Sequence, residues 1–143
     1  MNDISLEMAE RVLANAKKKA ETIGVPMNIA VVDAGGNLKA FLRMDGAWLG
    51  SIDIAMKKAR TARFFDMDTG EIGKLSKPNG PLYGIEVTNQ GLVTFPGGVP
   101  LKNSDSEIVG AVGVSGGQVK QDHAVATSGS EGMKEAKKRF RFG

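Results

Sequence analysis

Between Leu6 and Ile23 apolar side chains recur at Leu6, Ala9, Leu13, Ala16, Ala20 and Ile23, steps of three and four that line one face of an amphipathic helix. Ser5 stands where an N-cap oxygen is wanted, and Gly24 with Pro26 ends the helix. The period then changes. Met27 to Val32 is a short β-branched run, Ala34-Gly35-Gly36-Asn37 supplies residues tolerant of positive φ, and Leu38 to Met44 is a second run. Together they predict a β-hairpin. Asp33, just before the turn, is expected to accept hydrogen bonds from the turn amides; a catalytic acid is its other reading.

From Trp48 to Phe65 the helical period returns, with Ile52, Ala55, Met56, Ala59 and Ala62 as the buried stripe and Lys57, Lys58, Arg60 and Arg63 on the wet side. Asp66 to Gly84 is rich in Gly, Pro, Asp and Lys, and predicts a surface excursion with at most a helical turn near Thr69 to Leu75. Loops of that length in compact domains are often functional. Three strands are expected next: Gly91 to Phe95, Val99 to Lys102, and Glu107 to Val114 after the Asn103-Ser104-Asp105-Ser106 turn. A last helix, Gln118 to Lys138, has Val125, Gly129, Met133, Ala136 and Phe140 as its buried positions. Gly129 and Gly132 each cost about 1 kcal/mol in a helix interior relative to alanine, which close packing against another backbone would explain. Hairpin links between five strands favour an antiparallel sheet carrying helices on one or both sides, an α/β arrangement of the α+β kind.

Composition narrows the chemistry. A chain of 143 residues, 41% hydrophobic and 24% charged, has the size and make-up of one globular domain spanning residues 1–143. It contains no cysteine and a single histidine, which removes thiol nucleophiles, disulfides, iron–sulfur clusters and cysteine-based zinc sites. Charges run through the N-terminal segment and no apolar run approaches membrane-spanning length, so a cytoplasmic protein without membrane contact is expected. The net charge of +3 is concentrated in the tail from Met133 to Gly143. A solvated helix end accounts for it, and two interleaved phenylalanines without a recognisable motif do not make a nucleic-acid site.

Neither GxxxxGK[ST] nor GxGxxG occurs. Two Gly-Gly turns do, Phe95-Pro96-Gly97-Gly98-Val99-Pro100 and Gly113-Val114-Ser115-Gly116-Gly117, the second directly before a helix. Such turns either bend the chain tightly or offer free amides to a carboxylate or phosphate. His123, beside Asp122, reads as a packing residue or as a metal ligand or proton-transfer group. Met44 stands at a strand end with Arg43, Asp45 and Trp48, a mixed cluster that suits a flat ligand with acidic substituents. Tyr83 and Ser115 are further polar candidates.

In order along the chain, Val31-Val32-Asp33-Ala34-Gly35-Gly36, Phe41-Leu42-Arg43-Met44-Asp45-Gly46-Ala47, Ser51-Ile52 with Ala55, Lys58-Ala59 and Thr61-Ala62, Phe95 to Leu101 and Gly110 to Gly117 resemble the GlcG/HbpS family. That family includes the C-terminal domain of PduO-type corrinoid adenosyltransferases. The resemblance implies a profilin-like domain with a five-stranded antiparallel sheet flanked by helices, assembling as homo-oligomers from dimer to octamer. It implies a binding or accessory role for a tetrapyrrole, haem or a corrinoid, or a related acidic metabolite, linked to corrinoid-dependent diol or glycerol metabolism or to glycolate metabolism. The first helix contains no histidine, so His123 is the imidazole available to a haem. The expected binding residues are Arg43, Met44, Phe95, Gly97, Gly98, Gly116, Gly117 and His123. Two other functions fit the same residues: an interaction module that stabilises a partner enzyme through the basic tail from Lys134 to Arg141, and a small-acid tautomerase or hydrolase using His123 or Asp33.

Overall fold

In the computed structural model, which describes residues 2–135, the chain runs α1 (Leu6–Ile23), β1 (Asn28–Asp33), β2 (Leu38–Arg43), α2 (Gly50–Phe65), α3 (Thr69–Ser76), a 3-10 turn (Ile85–Val87), β3 (Gly98–Lys102), β4 (Ile108–Ser115), α4 (Val119–Ser130) and α5 (Gly132–Glu135). The strands form one antiparallel sheet in the order β2-β1-β4-β3. Alternation along the strands divides the core. Ile29, Val31, Val112 and Val114 face α1 and α4, whereas Ala30, Val32 and Ala111 face Ala55, Ala59 and Ala62 of α2.

Local signals act as expected. The Ser5 hydroxyl accepts from Met8 N at 3.1 Å, and Gly24 closes α1 at φ +83°. Asp33 Oδ1 accepts from the amides of Gly35 and Asn37, both at 2.9 Å, and so holds the β1–β2 turn. The side of the sheet under α2 is lined by small residues because the helix lies almost in backbone contact with it. A Cβ on Gly113 would sit 2.1 Å from Ala55 O, and one on Gly98 would sit 2.4 Å from Lys58 O. Gly129 and Gly132 serve the same purpose against α1, with missing Cβ atoms 3.2 Å from Val12 O and 3.0 Å from Arg11 O.

Five expectations need correction. The sheet has four strands among the described residues, not five. Gly91 to Phe95 runs beside α2, where Val93 N donates to Thr61 Oγ1 and Leu92 N donates to Glu86 O, so its amides are used outside any ladder. The 66–84 excursion contains a full helix, α3, docked on the 94–98 segment: Thr69 Oγ1 donates to Phe95 O at 2.8 Å and accepts from Gly98 N at 2.9 Å. The last helix breaks at Glu131, and Val125, Gly129 and Met133 are buried; Ala136 and Phe140 lie outside the described residues. Leu6 is half exposed at the start of α1, and Val12 takes the buried place.

The largest departure is Lys58. It is fully buried, not on the wet side of α2. Its Nζ donates to Asp122 Oδ2 at 2.9 Å and to Val114 O at 2.8 Å, and stands 4.9 Å from the centre of the Phe95 ring. Asp122 Oδ1 accepts from Gly117 N at 2.9 Å. One ion pair thus joins α2, β4, α4 and both Gly-Gly turns. Burial outweighs the attraction of Asp122 and holds the Lys58 ammonium below its ordinary value of 10.5. Between the lowered value and 10.5 the unfolded chain carries a proton that the folded chain has released, so this group makes stability rise as pH climbs through that window.

Two predictions follow from the packing and the ion pair, both read by urea unfolding. Gly113→Ala costs about 2–3 kcal/mol, whereas Gly50→Ala, with nothing within 4 Å of its added Cβ, stays within about 1 kcal/mol of the parent. Lys58→Met costs about 3–5 kcal/mol by leaving Asp122 buried and unpaired, and it removes the alkaline rise in stability. Adding Asp122→Leu restores most of that loss; the remainder of about 1 kcal/mol is the Gly117 amide left without its acceptor.

Candidate functional site

Antiparallel alternation brings the start of β1, the end of β2, the start of β3 and the end of β4 to one end of the sheet. All eight residues singled out from the sequence lie at that end. They form two groups, because adjacent strands are about 4.8 Å apart and β1 and β4 separate β2 from β3. Arg43 and Met44 are on the β2 side. Phe95, Gly97 and Gly98 are on the β3 side, roughly 14 Å away by strand spacing.

Gly116 and Gly117 bridge the groups. A Cβ on Gly116 would sit 2.7 Å from Pro26 O, and one on Gly117 would sit 3.1 Å from Met27 Cε. Met27 in turn brings its amide to within 3.4 Å of Met44 Sδ, and Met44 N donates to Met27 O at 3.1 Å. The contact chain therefore runs from Met44 through Met27 and the second Gly-Gly turn to Asp122, Lys58 and Phe95.

The glycines are occupied internally to differing degrees. Gly97 and Gly98 are buried. Gly97 has φ +133°, and its missing Cβ would lie 2.6 Å from Lys58 Nζ, so this turn makes room for the lysine. The Gly98 amide donates to Thr69 and the Gly117 amide to Asp122. These two N–H groups are not free to hold a ligand carboxylate. Gly116 and Gly117 keep part of their surface exposed. Phe95 is 44% exposed and covers the buried ammonium of Lys58. His123 lies at the start of the second turn of α4, half buried, with Nε2 3.5 Å from Thr127 Oγ1.

Asp33 is at the opposite end of β1 from this group, about 17 Å along the strand at the usual rise, and its carboxylate is held by the turn. It does not work with His123 on one substrate. Among the described residues no group of three or more His, Cys, Asp or Glu side chains could hold a metal ion, and no helix is long and apolar enough to cross a membrane.

Two clefts are available. One, of about 400 Å³, is walled by Lys17 and Glu21 of α1 and by Leu42, Arg43, Met44 and Asp45 of β2 and its exit. Lys17 and Arg43 have no ion-pair partner within 4 Å among the described residues. A larger cleft of about 1100 Å³ opens between β3, the start of α3 and the α4–α5 junction, with Met8, Met67, Val99, Pro100 and Met133 in its lining. There Lys134 is paired with Glu131 at 3.2 Å and Asp66 is paired with Arg63, while Lys102 and Asp68 have no ion-pair partner among the described residues. Reading the sequence missed Lys17 and Glu21, which look like the ordinary solvated face of α1. It also missed the Lys58–Asp122 pair, although position 58 falls in phase with Ala55, Ala59 and Ala62.

Comparison with known proteins gives this geometry a context. The family described as haem degrading protein HbpS-like matches residues 4–131. A 15.0 kDa protein from the dhaT-dhaS intergenic region of Citrobacter freundii is 42% identical over 124 residues, covering 86% of this chain and 87% of that protein. The corrinoid adenosyltransferase PduO of Salmonella typhimurium is 39% identical over 112 residues, which are 78% of this chain but 33% of PduO, so the likeness spans about a third of that enzyme. Among solved structures, the PduOC complex with heme superimposes with a TM-score of 0.86 at 34% identity, covering 91% of this chain and 94% of that one. The chain belongs to the HbpS-like family, related to a part of PduO.

Proposed function

We propose that this protein is a tetrapyrrole-binding accessory protein of the cytoplasm, and that its ligand, haem or a corrinoid, sits with its acidic edge in the cleft between α1 and β2. The observation that carries this reading is Lys17, a cation without an ion-pair partner among the described residues, set beside Leu42 and Met44 in one concave wall. Such a lining fits the group: cations meet carboxylates, and apolar side chains meet the face of a macrocycle. Met44 is the soft donor in the wall, of a type that serves as an axial ligand to haem iron; His123, on α4, is not part of it. A bound haem would supply redox and ligand-binding chemistry at its iron. This chain's residues would anchor its carboxylates and shield one face. Support comes from the likeness to a protein solved with heme and to PduO; a link to diol or glycerol metabolism is part of the same proposal.

Homo-oligomerisation is part of the same reading. Its support is the exposure of Trp48, Leu49, Tyr83 and Val87, between 68% and 83%. The same surface supports a second reading, an interaction module for a partner enzyme. The basic tail expected to take part in that contact lies, beyond Glu135, outside the described residues.

Titration with haem and with cobalamin tests the proposal. Haem is expected to give a saturable Soret shift. Lys17→Glu should weaken binding about fivefold, the loss of about 1 kcal/mol of charge attraction, and Met44→Leu should alter the Soret position while keeping the volume of the wall. Absence of a Soret shift together with no retention of cobalamin would contradict the proposal.

A further inference from the structure

A second group at the same end of the sheet has a chemistry of its own. Asn28, the first residue of β1, is completely buried. Its Nδ2 donates to Trp48 O at 3.0 Å, and the same oxygen accepts from Ser51 N at 3.1 Å. That bond fixes the amide's orientation and leaves Asn28 Oδ1 buried with no hydrogen-bond donor. An unpaired buried carbonyl costs about 1–3 kcal/mol, and native structures keep such a group where a water or ligand satisfies it.

Its neighbours are polar. On its rung of the sheet Asn28 stands between Ser115 of β4 and Arg43 of β2, and directly paired residues project from the same face, here the face that carries α2. Ser51, in the first turn of α2, and Ser115 are each 4% exposed. Neither hydroxyl makes a hydrogen bond among the described residues. The helix begins at Gly50 without a side-chain cap, so the positive end of its dipole points toward the group. The nearby acid of that turn, Asp53, is paired with Lys57 at 3.0 Å. Arg43 is exposed at the edge of the group.

These atoms specify a ligand with two functions. An arginine, two hydroxyls and a helix N-terminus favour an anion, yet a carboxylate only accepts hydrogen bonds and cannot satisfy the Asn28 carbonyl. The missing donor has to come from the same molecule, and the near-complete burial of the base limits its size. We infer that Asn28, Ser51, Ser115 and Arg43 form a binding site for a short hydroxycarboxylic acid. Its carboxylate meets Arg43 and the serine hydroxyls, and its hydroxyl donates to Asn28 Oδ1. These residues lie on the α2 face of the sheet, opposite the α1–β2 cleft.

Trp48 meets Asn28 through its carbonyl while its side chain is exposed, so binding is read by calorimetry rather than by its fluorescence. The test titrates the protein, free of tetrapyrrole, with lactate and with propionate, which lacks the hydroxyl. Lactate is expected to give a saturable change, with propionate at least about tenfold weaker because it leaves the carbonyl unpaired. Ser115→Ala, shown folded by its thermal transition, should weaken lactate about tenfold for the loss of one charge-assisted hydrogen bond. If Ser115→Ala does not fold, Ser51→Ala makes the same comparison. No saturable response to lactate, equal binding of the two acids, or lactate binding unchanged in the folded serine variant would overturn the inference and leave a buried water as the partner of Asn28.

Discussion

The Lys58–Asp122 ion pair is the contact on which the site end of this molecule depends. Taking both charges out of water is costly, and only mutual attraction with well-placed hydrogen bonds offsets it. Here the ammonium has two oxygen acceptors, Asp122 Oδ2 and Val114 O, and an aromatic face in Phe95. The carboxylate has a second donor in the Gly117 amide. Each of those partners belongs to a different segment, so the pair fixes how α2, the end of β4, the start of α4 and the 95–98 turn sit relative to one another.

The glycines complete that arrangement. Gly97 leaves room for the lysine, Gly98 lets α3 dock through Thr69, and Gly113 lets α2 approach the sheet at backbone distance. A helix held that close to the sheet brings its N-terminus over the Asn28–Ser115 rung, while the opposite face of the sheet receives α1 and, with it, Lys17. Buried glycines and the ion pair set the frame, whereas Arg43, Met44, Phe95 and Lys17 keep part of their surface exposed.

Much of this frame is legible in the residues themselves, for identifiable reasons. Ser5, Gly24 and Asp33 act within a few residues of their own position, so local stereochemistry suffices to place them. Gly129 and Gly132 are expensive in a helix, and that expense points to the backbone contact with α1 that the structure contains. Lys58 is a different case: its helical phase marks it as buried, but the partner that makes burial tolerable, Asp122, is 64 residues away. Leu92 and Val93 have strand-like side chains, yet their amides are claimed by Glu86 and Thr61. Asn28 and Lys17 carry no local sign that sets them apart, because what distinguishes them is the lack of a partner in three dimensions among the described residues.

The central claim is that the tetrapyrrole edge enters between α1 and β2. Hydrogen–deuterium exchange of the protein with and without haem measures this most directly, since it locates protection along the chain. The account predicts slowed exchange confined to the segments around 17–21 and 42–45, adjoining the cleft. Protection centred instead on 66–68 and 99–106, the walls of the larger cleft, or none in any segment, would contradict it.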